Sequence, residues 1–280
     1  MNKTVVGIGE ILWDLLPTGK ALGGAPANFA YHASQLGCDG WAVSAIGKDD
    51  LGEEIVRKLF EKRLNNVIET VDKPTGRVLV TLDDTGTPSY EIVEDVAWDH
   101  IPFTPRMETL ASKTDAVCFG TLVQRTRKSK ETIRRFLSAM PTDSLKVFDI
   151  NLRQQYYSKD IIEESLSFSD ILKINDEEID VISRMFEIPL GQEEACRKFL
   201  DQYGLKLVIL TKGSKGSVVI TEDQIIPQAA EKVKIVDTVG AGDAFTAAFV
   251  AAYLRGDSLA DAQKLASVTA GKVCSRMGAM

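Results

Sequence analysis

The segment "DTVGAGDAF" at residues 237–245 places two glycines and a carboxylate at the start of an apolar stretch, "AFTAAFVAAYL". Glycines at the mouth of a helix leave backbone N–H groups free to face a ligand, and helix N-termini attract anions. The amides of Ala241, Gly242 and Asp243 are therefore candidates to stabilise the charge that develops on a phosphoryl group in transfer. The Asp243 carboxylate would repel that group, so its chemistry there is that of a base for an attacking hydroxyl. The alternative is that Asp243 only caps the helix.

A second motif, "GGAPANFAYHASQLG" at residues 23–37, places paired glycines before Asn28 in the first turn of a predicted helix. The Asn28 side chain offers both a donor and an acceptor, which suits a pair of sugar hydroxyls. An ordinary helix start with Pro26 in its first turn is the alternative.

Strands and helices alternate along most of the sequence, from the β-branched run "TVVGIG" to the helix after Gly242. This order predicts an α/β fold with a parallel sheet covered on both faces. The segment at 76–98 breaks the alternation, because two β runs flank the turn residues "DDTGTP" and no helix follows. It is either a lid or a hairpin at the edge of the sheet.

Composition excludes several classes of function. The 280 residues carry a formal net charge of −7, which argues against nucleic-acid and anionic-membrane partners. Two histidines and four scattered cysteines argue against a zinc site or a histidine triad. Since the sequence shows neither a secretory signal nor a membrane span, we expect a cytoplasmic protein. It also lacks a P-loop, and "GIGE" at 7–10 is an incomplete dinucleotide fingerprint.

The two motifs, at opposite ends of the chain and in this order, resemble the signature regions of the PfkB (ribokinase-like) carbohydrate kinases, and most closely those of bacterial fructokinases. The resemblance extends over residues 4 to 279. It implies a ribokinase-like three-layer αβα sandwich formed by a single domain, residues 1–280, with a mostly parallel central sheet. It also implies a small β lid formed by about 10–22 and 76–98, which would fold over the sugar and serve as the interface of a homodimer.

The resemblance implies roles for residues around the acceptor. The base and the anion hole beside it would be Asp243, Gly240, Ala241 and Gly242. The sugar contacts would be Asp14 in "GEILWDLLP", Gly24, Asn28 and Arg153 in "DINLR". Arg125, in the basic run "QRTRKSK", follows a predicted strand and is a further sugar-contact candidate. The alternatives are a turn acid for Asp14 and solvated surface arginines for Arg153 and Arg125.

The resemblance also implies a nucleotide site and two cation sites. "NDEE" at 175–178 matches the N-x-x-E of the family, so Asn175 and Glu178 would organise Mg²⁺ through water and phosphate; a helix cap is the alternative. In "LTKGSKG", the ATP contacts would be Thr211, Gly213 and Gly216. Asp237 and the backbone of Val239 would form a monovalent-cation site for K⁺, closed by the tail near "RMGAM". Family members continue beyond the "GA" of 278–279 into a segment that bounds the nucleotide pocket.

These residues together predict an ATP-dependent sugar kinase that phosphorylates a primary hydroxyl, with fructose as the expected acceptor. Two alternatives remain open. The first is a kinase of the same fold for ribose, a 2-keto-3-deoxy sugar acid or a nucleoside. The second is a sugar-binding regulator without turnover, against which the intact Asp243 and N-x-x-E argue.

Overall fold

Strands and helices alternate along the chain in the computed structural model, which describes residues 2–16, 19–82 and 88–280. The strands of the described residues are β1 (Thr4–Ile8), β2 (Leu12–Leu16), β3 (Gly19–Gly23), β4 (Asp39–Ile46), β5 (Asn65–Thr70), β6 (Gly76–Leu82), β7 (Pro88–Ile92), β8 (Ala116–Phe119), β9 (Leu145–Asp149), β10 (Ile171–Asn175), β11 (Leu207–Thr211), β12 (Ser217–Ile220) and β13 (Ile225–Gln228). The helices are α1 (Ala25–Gln35), α2 (Asp50–Glu61), α3 (Pro105–Ala111), α4 (Arg127–Ala139), α5 (Lys159–Ser167), α6 (Asp176–Met185), α7 (Gln192–Tyr203), α8 (Ala241–Arg255) and α9 (Leu259–Cys274).

Nine of these strands form one large sheet, in the order β13-β12-β11-β10-β9-β8-β1-β4-β5. Neighbouring strands from β11 to β5 pair in parallel, while β12 and β13 add an antiparallel edge. Every residue of β1 is buried, as expected for a strand covered on both faces. The predicted α/β fold with a mostly parallel central sheet is confirmed.

Helices cover both faces of the large sheet and complete three layers. Successive residues of a strand point to opposite faces, so Val5 and Val6 of β1 enter different apolar clusters. Val5 packs with Phe29 of α1 and Phe249 of α8, whereas Val6 belongs to the cluster that contains Phe136 of α4. Across the described part of the chain, no helix combines the length and apolar character that a membrane crossing requires.

A second, four-stranded sheet is built from the two segments predicted to form a lid. Its order is β3-β2-β6-β7, with β2 and β6 parallel and the other pairs antiparallel. The predicted turn at 83–87 lies outside the described residues. β7 ends at Ile92, and Trp98 is fully buried in the core of the large sheet. The last residues of the predicted lid segment therefore belong to the main body.

Helix α9 follows α8 and packs beside it. α9 is the longest helix of the described residues, and the Ser258 hydroxyl caps it by accepting from the Asp261 amide at 3.1 Å. Its buried residues Ala262 and Ala266 pack in the same apolar cluster as α8. Helices α1, α8 and α9 therefore cover the same face of the large sheet.

Candidate active site

Gly240 begins α8 in a conformation that only glycine adopts readily. Its φ of +77° lies in the left-handed region, where a side chain is strained. A Cβ at this position would also lie 2.5 Å from the Cβ of Ala279, far inside van der Waals contact. Conformation and space therefore both require glycine at the entrance to this helix.

The first amides of α8 divide into one that is occupied and two that are open. The Ala241 amide donates to the Thr238 carbonyl at 3.2 Å and closes the turn before the helix. Within the described ranges, the amides of Gly242 and Asp243 have no backbone acceptor, as expected in a first helical turn. The Ala241 amide, which was expected to face an anion, is therefore already used, and the open donors are the backbone amides of Gly242 and Asp243.

The two motifs from opposite ends of the chain meet at this helix. Asn28 Nδ2 on α1 donates a hydrogen bond to Asp243 Oδ2 at 2.7 Å. Asn28 is buried, and its Oδ1 has no hydrogen-bond partner among the described residues. Asn28 therefore orients the proposed base and keeps one acceptor for a ligand.

The environment of Asp243 raises its pKa to about 6. Burial is the main cause, because it disfavours the charged carboxylate, and the negative charge of Asp149 acts in the same direction. The hydrogen bond from Asn28 and the positive charges of Lys173 and Arg153 oppose both. A carboxylate with this pKa is mostly ionised at neutral pH and still accepts a proton, as a general base requires.

A buried ion pair that sequence reasoning missed lies beneath the open amides. Lys173 Nζ on β10 donates to Asp149 Oδ1 at 3.1 Å, and the Thr246 hydroxyl on α8 donates to Asp149 Oδ2 at 3.0 Å. A Cβ on Gly242 would lie 3.2 Å from Lys173 Nζ. The ammonium group therefore sits directly against the backbone that carries the open amides.

Lys173 stays protonated although it is buried. Burial lowers the pKa of an ammonium group, but the charges of Asp149, Glu178 and Asp243 outweigh it and raise the pKa of Lys173. The sequence carried a signal for this pair, because Lys173 interrupts the apolar strand β10, Asp149 ends β9, and a buried charge needs a partner.

The N-x-x-E motif forms a helix cap and also places a carboxylate near the ion pair. Asn175 Oδ1 accepts from the Glu178 amide at 2.8 Å, and Glu178 Oε2 accepts from the Asn175 amide at 2.9 Å. Glu178 Oε1 accepts from the Leu152 amide at 2.9 Å. Burial raises the pKa of Glu178, while Lys173 opposes this shift. Both carboxylate oxygens are thus held by backbone donors.

No cluster of three or more histidine, cysteine, aspartate or glutamate side chains suited to a metal ion occurs in residues 2–16, 19–82 and 88–280. A Mg²⁺ ion at this site would accordingly take most of its ligands from phosphate oxygens and water, as Mg²⁺ commonly does. The water-mediated role of Glu178 stays a prediction.

A small cavity opens in front of Asp243. Its volume is about 10 Å³, which is close to the space of one water molecule. It is lined by Glu10, Ala25, Pro26, Phe29, Cys118, Phe119, Gly120, Asp149, Asn151 and Asp243. Glu10 was not singled out from the sequence, although it lies in the motif that supplied Asp14. It is only 4% exposed, and burial raises its pKa to about 7.

Two further predicted sugar contacts, Asp14 and Arg153, lie close enough to interact electrostatically. Asp14 is half-buried on β2 of the small sheet; burial raises its pKa, and the Arg153 guanidinium opposes this. Arg153 is exposed after β9, and its charge also acts on Glu10 and Asp243. Gly24 precedes α1 with a φ of +118°, and a Cβ there would lie 2.4 Å from the Glu10 carbonyl oxygen.

Arg125 departs from its predicted place at the sugar. Its Nε and Nη2 donate to the two carboxylate oxygens of Asp99, both at 2.7 Å, and Nη2 also donates to the Val93 carbonyl. The guanidinium stacks over the rings of Trp98 and Tyr156. Its side chain is 5% exposed and that of Asp99 is 0% exposed. Arg125 therefore belongs to an internal ion pair rather than to the acceptor site, because its charge is already matched.

The predicted nucleotide contacts lie along one edge of the large sheet. Thr211 ends β11 beside Asn175, its register partner at the end of β10. Gly213 begins a short 3₁₀ turn, and Gly216 ends it with a φ of +96°. A Cβ on Gly216 would lie 2.0 Å from the Gln228 carbonyl oxygen. The arrangement leaves a glycine-lined edge next to the N-x-x-E motif.

Asp237 joins the loop before α8 to the residues after α9. Its Oδ1 accepts from the Val239 amide at 3.0 Å, and its Oδ2 accepts from the Gly278 amide at 2.9 Å. His32 Nε2 on α1 lies 2.7 Å from the Ala279 carbonyl oxygen, so this nitrogen donates. The role of Asp237 and Val239 at a K⁺ site stays a prediction.

Comparison with known proteins places this site in a family. A profile described as "pfkB family carbohydrate kinase" matches residues 17–280. A sugar kinase of Pyrococcus horikoshii is 28% identical and covers 98% of this chain and 91% of its own length. An ATP-dependent 6-phosphofructokinase of Thermoanaerobacterium thermosaccharolyticum is 29% identical, covering 91% and 83%. A fructokinase of Rhizobium leguminosarum is 26% identical, covering 93% and 82%.

Solved structures share the fold. The Pyrococcus horikoshii sugar kinase in complex with ATP superimposes with a TM-score of 0.80 at 27% identity, covering 99% of this chain and 93% of that one. A Vibrio cholerae fructokinase in its fructose-, ADP- and calcium-bound form has a TM-score of 0.83 at 21% identity, covering 100% and 95%. The second likeness concerns the fold alone.

Proposed function

We propose that this chain, which belongs to the pfkB family of carbohydrate kinases, transfers the γ-phosphate of ATP to a primary hydroxyl group of fructose. One observation carries the proposal. The Asp243 carboxylate, oriented by Asn28 at 2.7 Å, stands beside the open amides of the first turn of α8. A carboxylate base next to backbone N–H groups that bind an anion suits the attack of a hydroxyl on a phosphoryl group.

In this reaction the acceptor hydroxyl gives its proton to Asp243 as its oxygen attacks the γ-phosphorus in line, and the bond from that phosphorus to the bridging oxygen breaks so that ADP leaves. The amides of Gly242 and Asp243 hold the charge that develops on the phosphoryl oxygens, and Lys173 adds a positive charge behind Gly242. The cavity in front of Asp243 has the volume of a single hydroxyl or water. We infer that only the reactive hydroxyl enters it, while the ring lies outside.

Mg²⁺ would be organised near Asn175 and Glu178 and, when bound, would neutralise charge on the phosphate oxygens. The chain itself supplies the geometry, because the reciprocal cap fixes both side chains at the edge of the large sheet. Thr211, Gly213 and Gly216 would contact ATP along the same edge. K⁺ bound near Asp237 would stabilise the loop that leads into Gly240.

The small sheet would act as a lid over the sugar, with Asp14 as its contact. The half-buried position of Asp14 on β2 and its proximity to the Arg153 charge support this role. Closure of such a lid would exclude water, which otherwise competes with the sugar as phosphoryl acceptor. The same sheet is the proposed surface for a homodimer.

A panel of acceptors tests the function. Fructose, ribose, a 2-keto-3-deoxy sugar acid and a nucleoside are each supplied with ATP and Mg²⁺ in a coupled ADP assay, with and without K⁺. We expect the highest kcat/KM with fructose and a higher rate with K⁺. A higher kcat/KM with another acceptor would replace fructose, and no sugar-dependent ADP release would favour the sugar-binding regulator.

Replacement of the base gives a sharper test. We expect Asp243→Asn to lower kcat by about 10²–10⁴-fold with a modest change in sugar affinity, because the amide keeps the shape but cannot take the proton. Steady-state kinetics and calorimetric sugar binding measure the two effects. Asp257→Asn, which alters a half-buried aspartate that accepts a hydrogen bond from Arg255 beyond α8, is the matched control. Near-normal turnover of Asp243→Asn would refute the assignment of the base.

A further inference from the structure

Glu10 is a buried carboxyl group that the catalytic scheme does not use. It lines the same cavity as Asp243, and its Oε2 is buried without a hydrogen-bond partner in the described residues. A buried polar atom without a partner costs stability, so its presence in a cavity points to a ligand that satisfies it. The cavity has the space of one hydroxyl group or one water molecule, and we take that ligand to be an oxygen of the acceptor.

Resting on the proposed kinase function, we propose that Glu10 is a specificity-determining residue that selects uncharged sugars. Its carboxyl group hydrogen-bonds a hydroxyl of the acceptor and repels acceptors that carry a carboxylate or a phosphate.

The balance of charge around the cavity supports the selection. Three carboxyl groups, those of Glu10, Asp14 and Asp243, share the influence of a single guanidinium, Arg153. Asp149 also lines the cavity, but Lys173 pairs with it. An anionic acceptor would therefore meet more negative than positive charge on entering the site.

The second arginine that could have favoured an anionic acceptor is not available to it. Arg125 is buried against Asp99, so its charge is neutralised inside the protein. An arginine that recognised a sugar carboxylate or phosphate would need its donors free for the ligand. Here two of the three guanidinium nitrogens donate to Asp99 and Val93. The third, Nη1, is buried without a hydrogen-bond partner in the described residues, but Arg125 is not among the residues that line the cavity in front of Asp243.

The protonation of Glu10 gives the selection a pH dependence. Burial and the nearby charge of Asp243 raise the pKa of Glu10 to about 7, while its own amide, that of Ala25 and the charge of Arg153 oppose the shift. Below this pH the neutral acid donates to a sugar oxygen without repelling an anion; above it the carboxylate both accepts and repels. Discrimination against anionic acceptors should therefore increase as the pH rises through about 7.

The experiment compares fructose with 2-keto-3-deoxygluconate, whose carboxylate is ionised throughout the range used. The ratio of kcat/KM for the two acceptors is measured from pH 6 to pH 8 for the wild type, Glu10→Gln and the control Glu53→Gln. Glu53 is an exposed glutamate in the first turn of α2. The ratio cancels the role of Asp243 as the base, since that step is common to both acceptors, while the charge of Asp243 still repels the anionic acceptor in every variant.

We expect the wild type and Glu53→Gln to prefer fructose by a ratio that rises about tenfold from pH 6 to pH 8, which corresponds to about 1.4 kcal/mol of charge repulsion. Glu10→Gln keeps the hydrogen bond but not the charge, so its ratio should be lower at pH 8 and should rise less with pH than that of the wild type. A wild-type preference for the anionic acceptor would overturn the proposal, as would a Glu10→Gln ratio that follows the wild type.

The proposed function and the role of Glu10 fail in different ways. If no acceptor releases ADP, the kinase assignment fails, and calorimetric binding of the same two acceptors by the wild type and Glu10→Gln still measures charge selection. If fructose is phosphorylated and the kcat/KM ratio of the two acceptors is the same in Glu10→Gln as in the wild type, the kinase assignment stands and the role of Glu10 is wrong. Thermal unfolding of Glu10→Gln checks that the variant is folded.

Discussion

At the scale of single residues, the two buried carboxyl groups of the cavity have different proposed roles. Asp243 is the proposed base, and Glu10 is the proposed hydrogen-bonding group. Burial raises the pKa of Asp243 to about 6 and that of Glu10 to about 7, so Asp243 loses its proton first as the pH rises. Near neutral pH one group is mostly ionised while the other still holds a proton about half of the time. The same cavity thus presents a proton acceptor and a proton donor side by side.

The pKa of Asp243 predicts the acid limb of the pH–rate profile. A base works only when it is unprotonated, so kcat/KM for fructose should fall about tenfold per pH unit below about pH 6. Steady-state rates between pH 5 and pH 8 measure this limb. In Glu10→Gln the limb should persist, because it belongs to Asp243; a wild-type rate that stays constant down to pH 5 would contradict the assignment.

The sequence predicted individual residues with mixed success. Asp243 and Asn28 were assigned to one site from their motifs, and the structure joins them by a hydrogen bond. Arg125 was assigned from its position after a strand, but its true partner, Asp99, lies in a 3₁₀ turn that no periodic pattern marks. Glu10 lies in the same motif as Asp14, but no sequence feature singled it out. Its proposed role comes from its burial beside Asp243 in the folded protein.

At the scale of secondary-structure elements, the packing around the start of α8 explains its two glycines. Gly240 provides the left-handed turn, and Gly242 lets Lys173 approach the helix backbone. The alternation of strands and helices was predicted from segments in which apolar periodicity is strong, as in α2, α6 and α7. That periodicity does not mark β5, at the edge of the large sheet, or α3, which has only seven residues. Short elements take their stability from tertiary contacts, which no local pattern encodes.

Gly242→Ala tests the contact between α8 and the buried ammonium. A Cβ placed 3.2 Å from Lys173 Nζ should displace that group by a few tenths of an ångström and lower kcat by about tenfold. The free energy of unfolding should change by less than about 1 kcal/mol, because alanine favours a helix over glycine. Kinetics and denaturant unfolding measure the two quantities.

Gly191→Ala is the control for this variant. Its φ of −63° suits alanine, and the nearest heavy atom to the added Cβ lies 3.5 Å away, so kcat should not change. Equal activity of Gly242→Ala and wild type would show that the position of Lys173 does not matter for turnover.

At the scale of the whole molecule, one ion pair fastens the small sheet to the large one. Arg125 follows β8 of the large sheet, Val93 follows β7 of the small sheet, and Asp99 lies in the turn where the chain returns to the main body. Because the carboxylate of Asp99 is fully buried, it depends on this guanidinium for its neutralisation.

Arg125→Ala should therefore lower the free energy of unfolding by about 3–5 kcal/mol, since it leaves a buried charge without a partner. Arg127 lies two residues from Arg125 and forms an exposed ion pair with Glu131. Arg127→Ala should change the free energy of unfolding by less than about 1 kcal/mol. Denaturant titrations of both variants measure the difference. Similar midpoints for the two would contradict the importance of the buried pair.

The hydrogen bond between Asn28 and Asp243 spans 215 positions of the chain. During synthesis on a ribosome, α1 is finished long before α8 emerges, so Asn28 waits for its partner Asp243 while the 215 positions that lead to it are added. Contacts between such distant segments also slow folding, because a long loop must close before they form. The site that joins the two motifs should therefore assemble only after α8 has left the ribosome and packed beside α1.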